Sequence, residues 1–380
     1  MMKMNHATHI ALPLVIFLLL CSCATHYGDK EHTDALPPAV LSEEEYSIDS
    51  YNVDVQGGYF WLLCASDKFY YTSGVQEQMD NASRVIKVYS YDPANGNIEA
   101  VPLPYSEGWH LYTMTPDGNG GFWMVFTPQK ASSVNNYIAG PAYLVKTDSN
   151  YRELFTIDMT PYTEPQVTIM GHQYPQNSEY TQELMEEMTY LDVVPNNFDT
   201  PALVCDNQGR VYITAVNENV IVFDSDGGYL GQFDTFDPDY MQGVYLTKTY
   251  TGEIVVGRCN ADNKLSLTVI NADDFSQGEP MIQETSQTKS ISLSPTASLL
   301  PKYDLFGSNY YGLYGIQFNE NGKYTCTPLL YYGENTMPYD VYGKLREDES
   351  GARLVFEHRS DVKDDGTKDF IFYSLEMNIK

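Results

Sequence analysis

The stretch that most constrains the fold spans residues 201–233 and reads PALVCDNQGRVYITAVNENVIVFDSDGGYLGQF. Its four segments rich in Val, Ile, Tyr and Phe, which favour β-strands, are residues 202–205, 211–215, 220–223 and 229–233. The turns between them contain Asp, Asn and Gly, which supply the positive φ angles that tight hairpins require. The stretch therefore predicts a meander of four antiparallel strands.

Parts of this pattern recur along the chain. A turn that contains Gly precedes each of the strands YFWLLCAS, FWMVFTP, RVYITAV, EIVVGRC and ARLVFEH. A later strand of each unit ends in a turn at Asp92, Asp148, Asp224, Asn271 or Asn319, with spacings of 56, 76, 47 and 48 residues. Such spacings are typical of stacked or radial repeats.

Six units follow from these turns, at about 47–108, 109–165, 196–240, 241–286, 290–337 and 338–380. Their strands are apolar almost throughout, so that each unit must be covered on both faces by its neighbours. The sequence predicts an all-β fold, a β-propeller of six to seven four-stranded blades over residues 44–380. A seventh blade is either hidden in the chain or formed when the segment YSIDSYNV, residues 46–53, pairs with the C-terminal strands, which would protect the sheet edges.

Two segments break the pattern. Residues 166–195 read as an insertion, with a short helix predicted near 178–190, N-capped by Ser178. Residues 67–81 are polar and Tyr-rich and are interpreted as a surface hairpin or loop. Trp61 and Trp123 occupy apparently equivalent positions in YFWLL and GFWMV, which favours a place in the blade core for both.

Charge and cysteine content narrow the function classes. The formal net charge of −29 and the pI of about 4.4 repel phosphate backbones, so nucleic acid is excluded as a partner. Outside the N-terminus the cysteines are far apart in apolar runs, without CxxC or Cys/His metal spacing. Buried thiols are favoured over disulfides, with a single bridge left open, for Cys64, Cys205, Cys259 and Cys326.

The N-terminus reads as an export signal. An apolar run of eleven residues, 10–20, follows a short n-region with Lys3; the run is too short to span a bilayer. It ends in Leu20-Cys21-Ser22-Cys23, which resembles the lipobox of bacterial lipoproteins. The resemblance implies a signal peptide over residues 1–22 and acylation of Cys23. Residues 23–43 would then form a flexible tether to the extracytoplasmic face of the cell membrane. A plain secretory signal cleaved nearby is the alternative.

The pattern of turns and strands in DNQGRVYI and VFDSDGGYLGQF is similar to that of bacterial extracytoplasmic propellers of the NHL and gluconolactonase-like type. Together with the lipobox and the last strand FIFYSLEMN, it resembles the N-terminal region of some clostridial surface lipoproteins. In those proteins a propeller precedes a solute-binding domain, and no alternating βα region of that kind is expected in this chain. The resemblance implies a fold and a location, and it transfers no functional residue to the propeller.

No nucleophile, metal or nucleotide motif is present in the sequence, and no cofactor or metal is expected. Asp54, Asp117, Asp206, Asp224 and Asp348 all fall in predicted turns, where a conformational role outweighs a ligand role. His172 and His358 are isolated. Trp109, outside the register of the other tryptophans, and the adjacent His110 are the candidate ligand-binding residues.

These observations favour a non-enzymatic, cell-surface lipoprotein whose propeller binds a protein or a glycan. Two alternatives stay open. One is a metal-dependent propeller enzyme of the lactonase or lyase type, with carboxylates and a His at one end of a central channel. The other is an accessory component of a sugar-uptake system, which rests on the resemblance alone.

Overall fold

The computed structural model describes residues within Ala39–Lys380, one of two compact units of the chain, the other being Met1–Pro38. The described residues are 46–53, 59–66, 68–74, 87–92, 94–105, 109–128, 142–162, 166–169, 172–175, 192–194, 202–214, 219–235, 242–259, 265–284, 291–293, 302–308, 312–331, 338–345, 351–359 and 370–378. The predicted signal peptide, Cys23, the tether, the helix near 178–190, Asp54 and Asp348 lie outside them. Within the described part, no helix has the length and apolarity needed to cross a bilayer.

The structure is all-β, with a single described turn of 3-10 helix at Thr160–Tyr162. The strands are β1 Tyr46–Val53, β2 Tyr59–Ala65, β3 Phe69–Gly74, β4 Lys87–Asp92, β5 Asn97–Ala100, β6 Trp109–Pro116, β7 Phe122–Pro128, β8 Tyr143–Thr147, β9 Glu153–Asp158, β10 Gln166–Ile169, β11 His172–Pro175, β12 Asp192–Val194, β13 Leu203–Cys205, β14 Val211–Thr214, β15 Asn219–Phe223, β16 Tyr229–Asp234, β17 Gln242–Lys248, β18 Ile254–Cys259, β19 Leu265–Ile270, β20 Met281–Gln283, β21 Ser292–Leu293, β22 Leu305–Ser308, β23 Gly312–Asn319, β24 Lys323–Tyr331, β25 Pro338–Leu345, β26 Gly351–Arg359 and β27 Phe370–Asn378.

These strands form six four-stranded antiparallel meanders, numbered here in chain order. Meanders 1 to 5 pair their strands consecutively and are β2–β5, β6–β9, β13–β16, β17–β20 and β21–β24. Meander 6 is β25–β27 completed by β1, which pairs with β27 from Tyr46↔Met377 to Val53↔Phe370. The pairing of residues 46–53 with the C-terminal strands, one of the two alternatives for a seventh blade, is observed, but it completes meander 6 in place of forming a seventh unit.

Meander 3 shows how closely local sequence predicts these units. Each end of its four strands lies within one residue of the corresponding predicted segment. Val211, Ile213, Ile221 and Phe223 are fully buried and belong to one cluster with residues of meander 2. The other face of the same strands carries Tyr212, Val220 and Val222, which pack with residues of meander 4. Because both faces of these strands are buried, their sequences do not alternate between apolar and polar residues, which accounts for the continuous apolar runs.

Each described cluster is shared by consecutive meanders. One joins meanders 1 and 2, and three others join meanders 2 and 3, 3 and 4, and 4 and 5. The first strands also contact one another: β2 contacts β6, β6 contacts β13, β13 contacts β17, and β17 contacts β21. β25 of meander 6 contacts both β22 and β2, so contacts run from the last meander back to the first.

Meanders 4 and 5 are additionally joined at their fourth strands. β20 pairs in parallel with β24 through Ile282↔Lys323 and Gln283↔Tyr324, so that the two meanders form one eight-stranded sheet. The amide of Glu284 donates to the carbonyl of Tyr324 at 2.9 Å and extends this pairing by one hydrogen bond. The fourth strands β5, β9 and β16 belong instead to separate sheets.

Meander 1 departs from the prediction. Residues 69–74, interpreted from the sequence as part of a surface hairpin or loop, form its second strand, and Phe69, Tyr70 and Tyr71 are buried rather than at the surface. Tyr side chains enter a core when the hydroxyl finds a partner, and the hydroxyl of Tyr70 lies 3.1 Å from that of Tyr151. The tyrosines of this segment therefore indicate a buried strand, whereas the sequence interpretation took the Tyr-rich segment as polar and exposed.

The proposed equivalence of Trp61 and Trp123 is wrong. Trp61 lies on β2, the first strand of meander 1, whereas Trp123 lies on β7, the second strand of meander 2. The sequence interpretation took YFWLLCAS as the second strand of its unit, whereas it is the first. The actual second strand, residues 69–74, had been assigned to the surface segment 67–81. The predicted core position holds for Trp123, which is fully buried; the side chain of Trp61 lies outside the described part.

Residues 166–195 interrupt the meanders, as the sequence predicts. Their described part is a separate three-stranded antiparallel sheet in which β10 lies between β11 and β12. His172 lies at the start of β11, paired with Ile169 across the hairpin.

Candidate ligand-binding groove

The turn aspartates are structural in the part of the chain that the structure describes. One carboxylate oxygen of Asp117 accepts hydrogen bonds from the amides of Asn119 and Gly121 at 2.7 and 2.9 Å. Asp206 and Asp224 cap their turns in the same way, each accepting from the amides two and four residues later. This satisfies donors that a tight turn would leave unpaired.

The second carboxylate oxygens of the two buried aspartates are also occupied. That of Asp117 accepts from the Lys146 ammonium in a buried ion pair, and this ammonium lies 4.8 Å from the centroid of the Trp123 ring. That of Asp206 accepts from Arg210 at 2.6 Å and from the Tyr212 hydroxyl at 3.3 Å. Among the described residues no group of three metal-binding side chains occurs. Neither carboxylate is left available for acid–base chemistry.

Cys205 and Lys248 link meanders 3 and 4 beside these pairs. Lys248 donates to the Cys205 carbonyl at 3.0 Å and to the Asn207 side chain at 3.3 Å. Burial lowers the pKa of Lys248, while burial raises the pKa of the Cys205 thiol to about 12. A thiol with that pKa is protonated and unreactive at neutral pH. Cys64, Cys205 and Cys326 are free thiols, as predicted for these three, with Cys326 only partly buried.

An open groove lies where meander 1 leads into meander 2. Its walls are residues 102–104, which follow β5, and residues 150–153, which form the turn from β8 into β9. The groove is largely open to solvent and has a volume of about 550 Å³. Two proline rings, a leucine and a tyrosine supply apolar surface, and an amide, a guanidinium and a carboxylate supply polar groups.

Tyr151 has an unusual backbone conformation in this groove, with φ of 61°. It lies three residues after Asp148, and glycine with positive φ occupies the corresponding place in five other turns, those that begin at Asp117, Asp206, Asp224, Thr249 and Asn319. A bulky side chain in the left-handed region costs about 1–2 kcal/mol relative to an ordinary conformation. Contacts of the Tyr151 ring must offset this cost.

The ring of Tyr151 makes contacts in both adjacent meanders. It stacks on Phe122 of meander 2, with ring centroids 5.5 Å apart, and meets the edge of Tyr70 of meander 1 at 6.2 Å. A signal for this residue was present in the sequence. The turn DSNYR has Tyr where the related turn DSDGG has Gly, and aligning the turns by their first Asp exposes the exception.

Trp109 lies at the start of β6, next to the wall formed by residues 102–104. Its ring is partly buried, stacks on Tyr105 with centroids 4.6 Å apart, and meets the edge of Tyr143 at 5.5 Å. Trp109 therefore supports the groove wall through Tyr105, and it does not line the groove itself. His110 follows it on β6, paired with Thr127, and its side chain lies outside the described part.

The polar groups of the groove differ in how far they are engaged. Glu153 accepts a hydrogen bond from the Thr156 hydroxyl at 2.9 Å, and the Tyr105 hydroxyl lies 3.1 Å from the same hydroxyl. Burial raises the pKa of Tyr105, so its hydroxyl stays protonated at neutral pH. Arg152 is exposed, and its guanidinium has no hydrogen bond or ion pair with the residues that the structure describes. The groove thus presents one unengaged cation in a strongly acidic protein.

Comparison with known proteins places the chain by fold only. No protein-family model matches it, and no curated protein matches it significantly. A protein of unknown function from Dyadobacter fermentans is similar in structure, with 9% identity and a TM-score of 0.52 over 88% of this chain and 100% of that one. This likeness supports a shared β-rich fold.

Two further solved structures match with lower scores. The allergen Mala s 1 of Malassezia sympodialis has 14% identity and a TM-score of 0.46 over 90% of this chain and 96% of that one. A mutant of the NanB sialidase from Streptococcus pneumoniae has 10% identity and a TM-score of 0.44 over 92% of this chain and 72% of that one.

Proposed function

We propose that this chain is a non-enzymatic protein, lipid-anchored at the extracytoplasmic face of the cell membrane, whose groove binds a protein or glycan partner. The observation that carries the proposal is the groove between residues 102–104 and 150–153, with Tyr151 kept at a position where related turns have glycine. A strained residue at a concave surface is a common mark of a functional site.

The absence of enzymatic activity is the second part of the proposal. Support comes from Asp117 and Asp206, whose carboxylates are fully engaged in turn caps and buried ion pairs. Metal-dependent hydrolysis of lactones or glycosides by the purified protein would contradict this part, whether or not the groove binds a partner.

The six meanders, in this proposal, form a ring as the blades of a six-bladed propeller. Support comes from the chain of contacts between first strands, from the contact of β25 with β2, and from the pairing of β1 with β27. Such a ring covers both faces of every blade and shields the sheet edges at the closure. An experimental structure with the meanders split into two packed layers would contradict it.

Binding is tested with the purified domain, residues 44–380, on an array of glycans and on surface proteins of the source cell. We expect at least one partner to bind the wild type with a dissociation constant in the micromolar range or below. The matched variant is Tyr151→Gly, which removes the ring from the groove and suits the backbone of the turn. Unchanged binding by this variant would place the site elsewhere on the molecule.

Anchoring is tested by metabolic labelling with a palmitate analogue in the source bacterium or a bacterial host. The lipobox resemblance predicts that the wild type is labelled and that Cys23→Ala abolishes the label. Cys21→Ala is the control, because a small residue at that place keeps the lipobox intact. A label that survives Cys23→Ala, or an unlabelled wild type, would refute the lipoprotein part.

A further inference from the structure

We infer that the groove binds a saccharide unit that carries a carboxylate, with Arg152 as the residue that recognises the acid. This inference deepens the proposed function and rests on it. It identifies the chemical class of the ligand, which the proposed function leaves open between a protein and a glycan.

The dimensions of the groove favour a small ligand over a protein surface. About 550 Å³ accommodates a few sugar rings, whereas a stable protein interface covers about 800 Å² on each partner. The described walls, residues 102–104 and 150–153, amount to seven residues, far fewer than the roughly 20–30 that one side of such an interface contributes. A short oligosaccharide therefore fits the groove better than a folded partner.

The apolar walls suit the flat C–H faces of a sugar ring. Pro102 and Pro104 belong to one wall of the groove and Tyr151 to the other. Tyr151 is held between Phe122 and Tyr70, and its hydroxyl lies 3.1 Å from that of Tyr70. A ring fixed in this way loses little conformational entropy on binding, which is the advantage of a preorganised site.

The charge in the groove selects an acid. Arg152 is exposed and unengaged among the described residues, and a guanidinium binds a carboxylate through two parallel hydrogen bonds. The neighbouring Glu153 is a competing carboxylate, but it already accepts from Thr156. The Asn150 side chain lines the same wall and supplies an amide that can pair with sugar hydroxyls.

The net charge of −29 bears on how an acidic ligand could be bound by this protein. The field of the whole protein disfavours anions, so acidic ligands are not attracted nonspecifically. Preference for an acid over its neutral analogue must then come from a particular contact, and Arg152 is the cation of the groove wall.

The test is calorimetric titration of the purified domain, residues 44–380, with four probes. Tetragalacturonate and its methyl ester form one pair, and 3′-sialyllactose and its methyl ester form the other. We expect one acid to bind at least about tenfold more tightly than its neutral partner, since a charge-assisted hydrogen bond is lost in the neutral form. The pair that shows this difference identifies the uronate or the sialate as the acid.

Two variants complete the test. Arg152→Gln should lower the affinity for the acid by at least about tenfold and leave the neutral analogue within about twofold. Lys87→Gln, which removes an exposed cation on β4 outside the groove, should change neither affinity. Circular dichroism and the urea midpoint check that both variants fold like the wild type.

The remaining outcomes separate this inference from the proposed function. Equal binding of acid and neutral sugar, or discrimination that survives Arg152→Gln, overturns the inference and leaves glycan binding intact. Binding of an acidic peptide or a protein instead of all four sugars overturns the inference and leaves partner binding intact. If array and titration show no partner of any class, both the inference and the proposed function fail.

Discussion

The junction of meanders 4 and 5 and the junction of meanders 1 and 2 both bury apolar faces, but they differ in how their fourth strands are paired. Between meanders 4 and 5 the fourth strand β20 pairs with β24, and the buried Tyr324 hydroxyl donates to the Leu265 carbonyl at 2.7 Å. Between meanders 1 and 2 the fourth strands β5 and β9 stay in separate sheets, and the described contacts at the groove are between aromatic rings and hydroxyls.

The difference indicates where a repeated fold can acquire a binding surface. Both junctions bury apolar faces in a shared cluster, so both contribute to stability. Backbone pairing of the fourth strands joins meanders 4 and 5. Meanders 1 and 2 lack this pairing, and a groove lies there between the segment that follows β5 and the turn from β8 into β9. The predictions below start with the closed junction, where we expect the largest effect.

Tyr324→Ala is expected to have the largest effect. Tyr324 is fully buried and its hydroxyl donates to Leu265, so the substitution leaves a cavity and removes a hydrogen bond from the Leu265 carbonyl. The free energy of unfolding should fall by about 3–5 kcal/mol, measured by urea denaturation. Tyr324→Phe, which keeps the ring, is the control and should cost about 1–2 kcal/mol. A loss below 1 kcal/mol for the alanine variant would mean that this junction is not closed by packing.

Tyr151→Ala should destabilise the open junction by less, about 1–3 kcal/mol, because its ring is only partly buried. Tyr151→Gly removes the same ring but suits the φ of 61°. The glycine variant should therefore be more stable than the alanine variant by about 1 kcal/mol in the same denaturation experiment. Equal stability of the two variants would show that the backbone at this position is not strained.

Asn319→Ala should have a smaller effect at the closed junction. The Asn319 side chain, at the end of β23, donates at 3.0 Å to Glu284, which follows β20, and this hydrogen bond between meanders 4 and 5 is exposed to solvent. We expect a loss of at most about 1 kcal/mol in the free energy of unfolding. Amide hydrogen exchange at Glu284 should accelerate modestly, because the backbone pairing remains. Exchange at the rate of an unfolded peptide would mean that the side chain holds the junction closed.

Leu154→Lys should have the smallest effect on stability. Leu154 lies on β9 next to the groove and is 59% exposed, the highest value among the large apolar side chains described. The free energy of unfolding should change by less than about 0.5 kcal/mol. Analytical ultracentrifugation should show no increase in self-association relative to the wild type. A loss above 1 kcal/mol would show that Leu154 is covered in solution, for example by a second copy of the chain.

Some features of the fold follow from local sequence, and others do not. The turns at Asp206 and Asp224 were identified from the sequence, because a side-chain cap and a glycine with positive φ act within five residues. The second strand of meander 1 was missed, because its tyrosines are buried by partners far away in the chain, such as Tyr151. Trp109 stays a predicted ligand-binding residue, and its contact with Tyr105, which follows the groove wall at residues 102–104, is visible only in the tertiary structure.

The sequence by itself determined the all-β class and the four-stranded unit with its limits in meander 3. Periodicity and turn chemistry act locally and can be read from neighbouring residues. Only the tertiary structure decided which junction is closed by β20 and β24 and which is left open beside Tyr151 and Arg152. These features depend on which side chains and strand edges meet between meanders, and residues distant in the chain meet only once the sheets have packed.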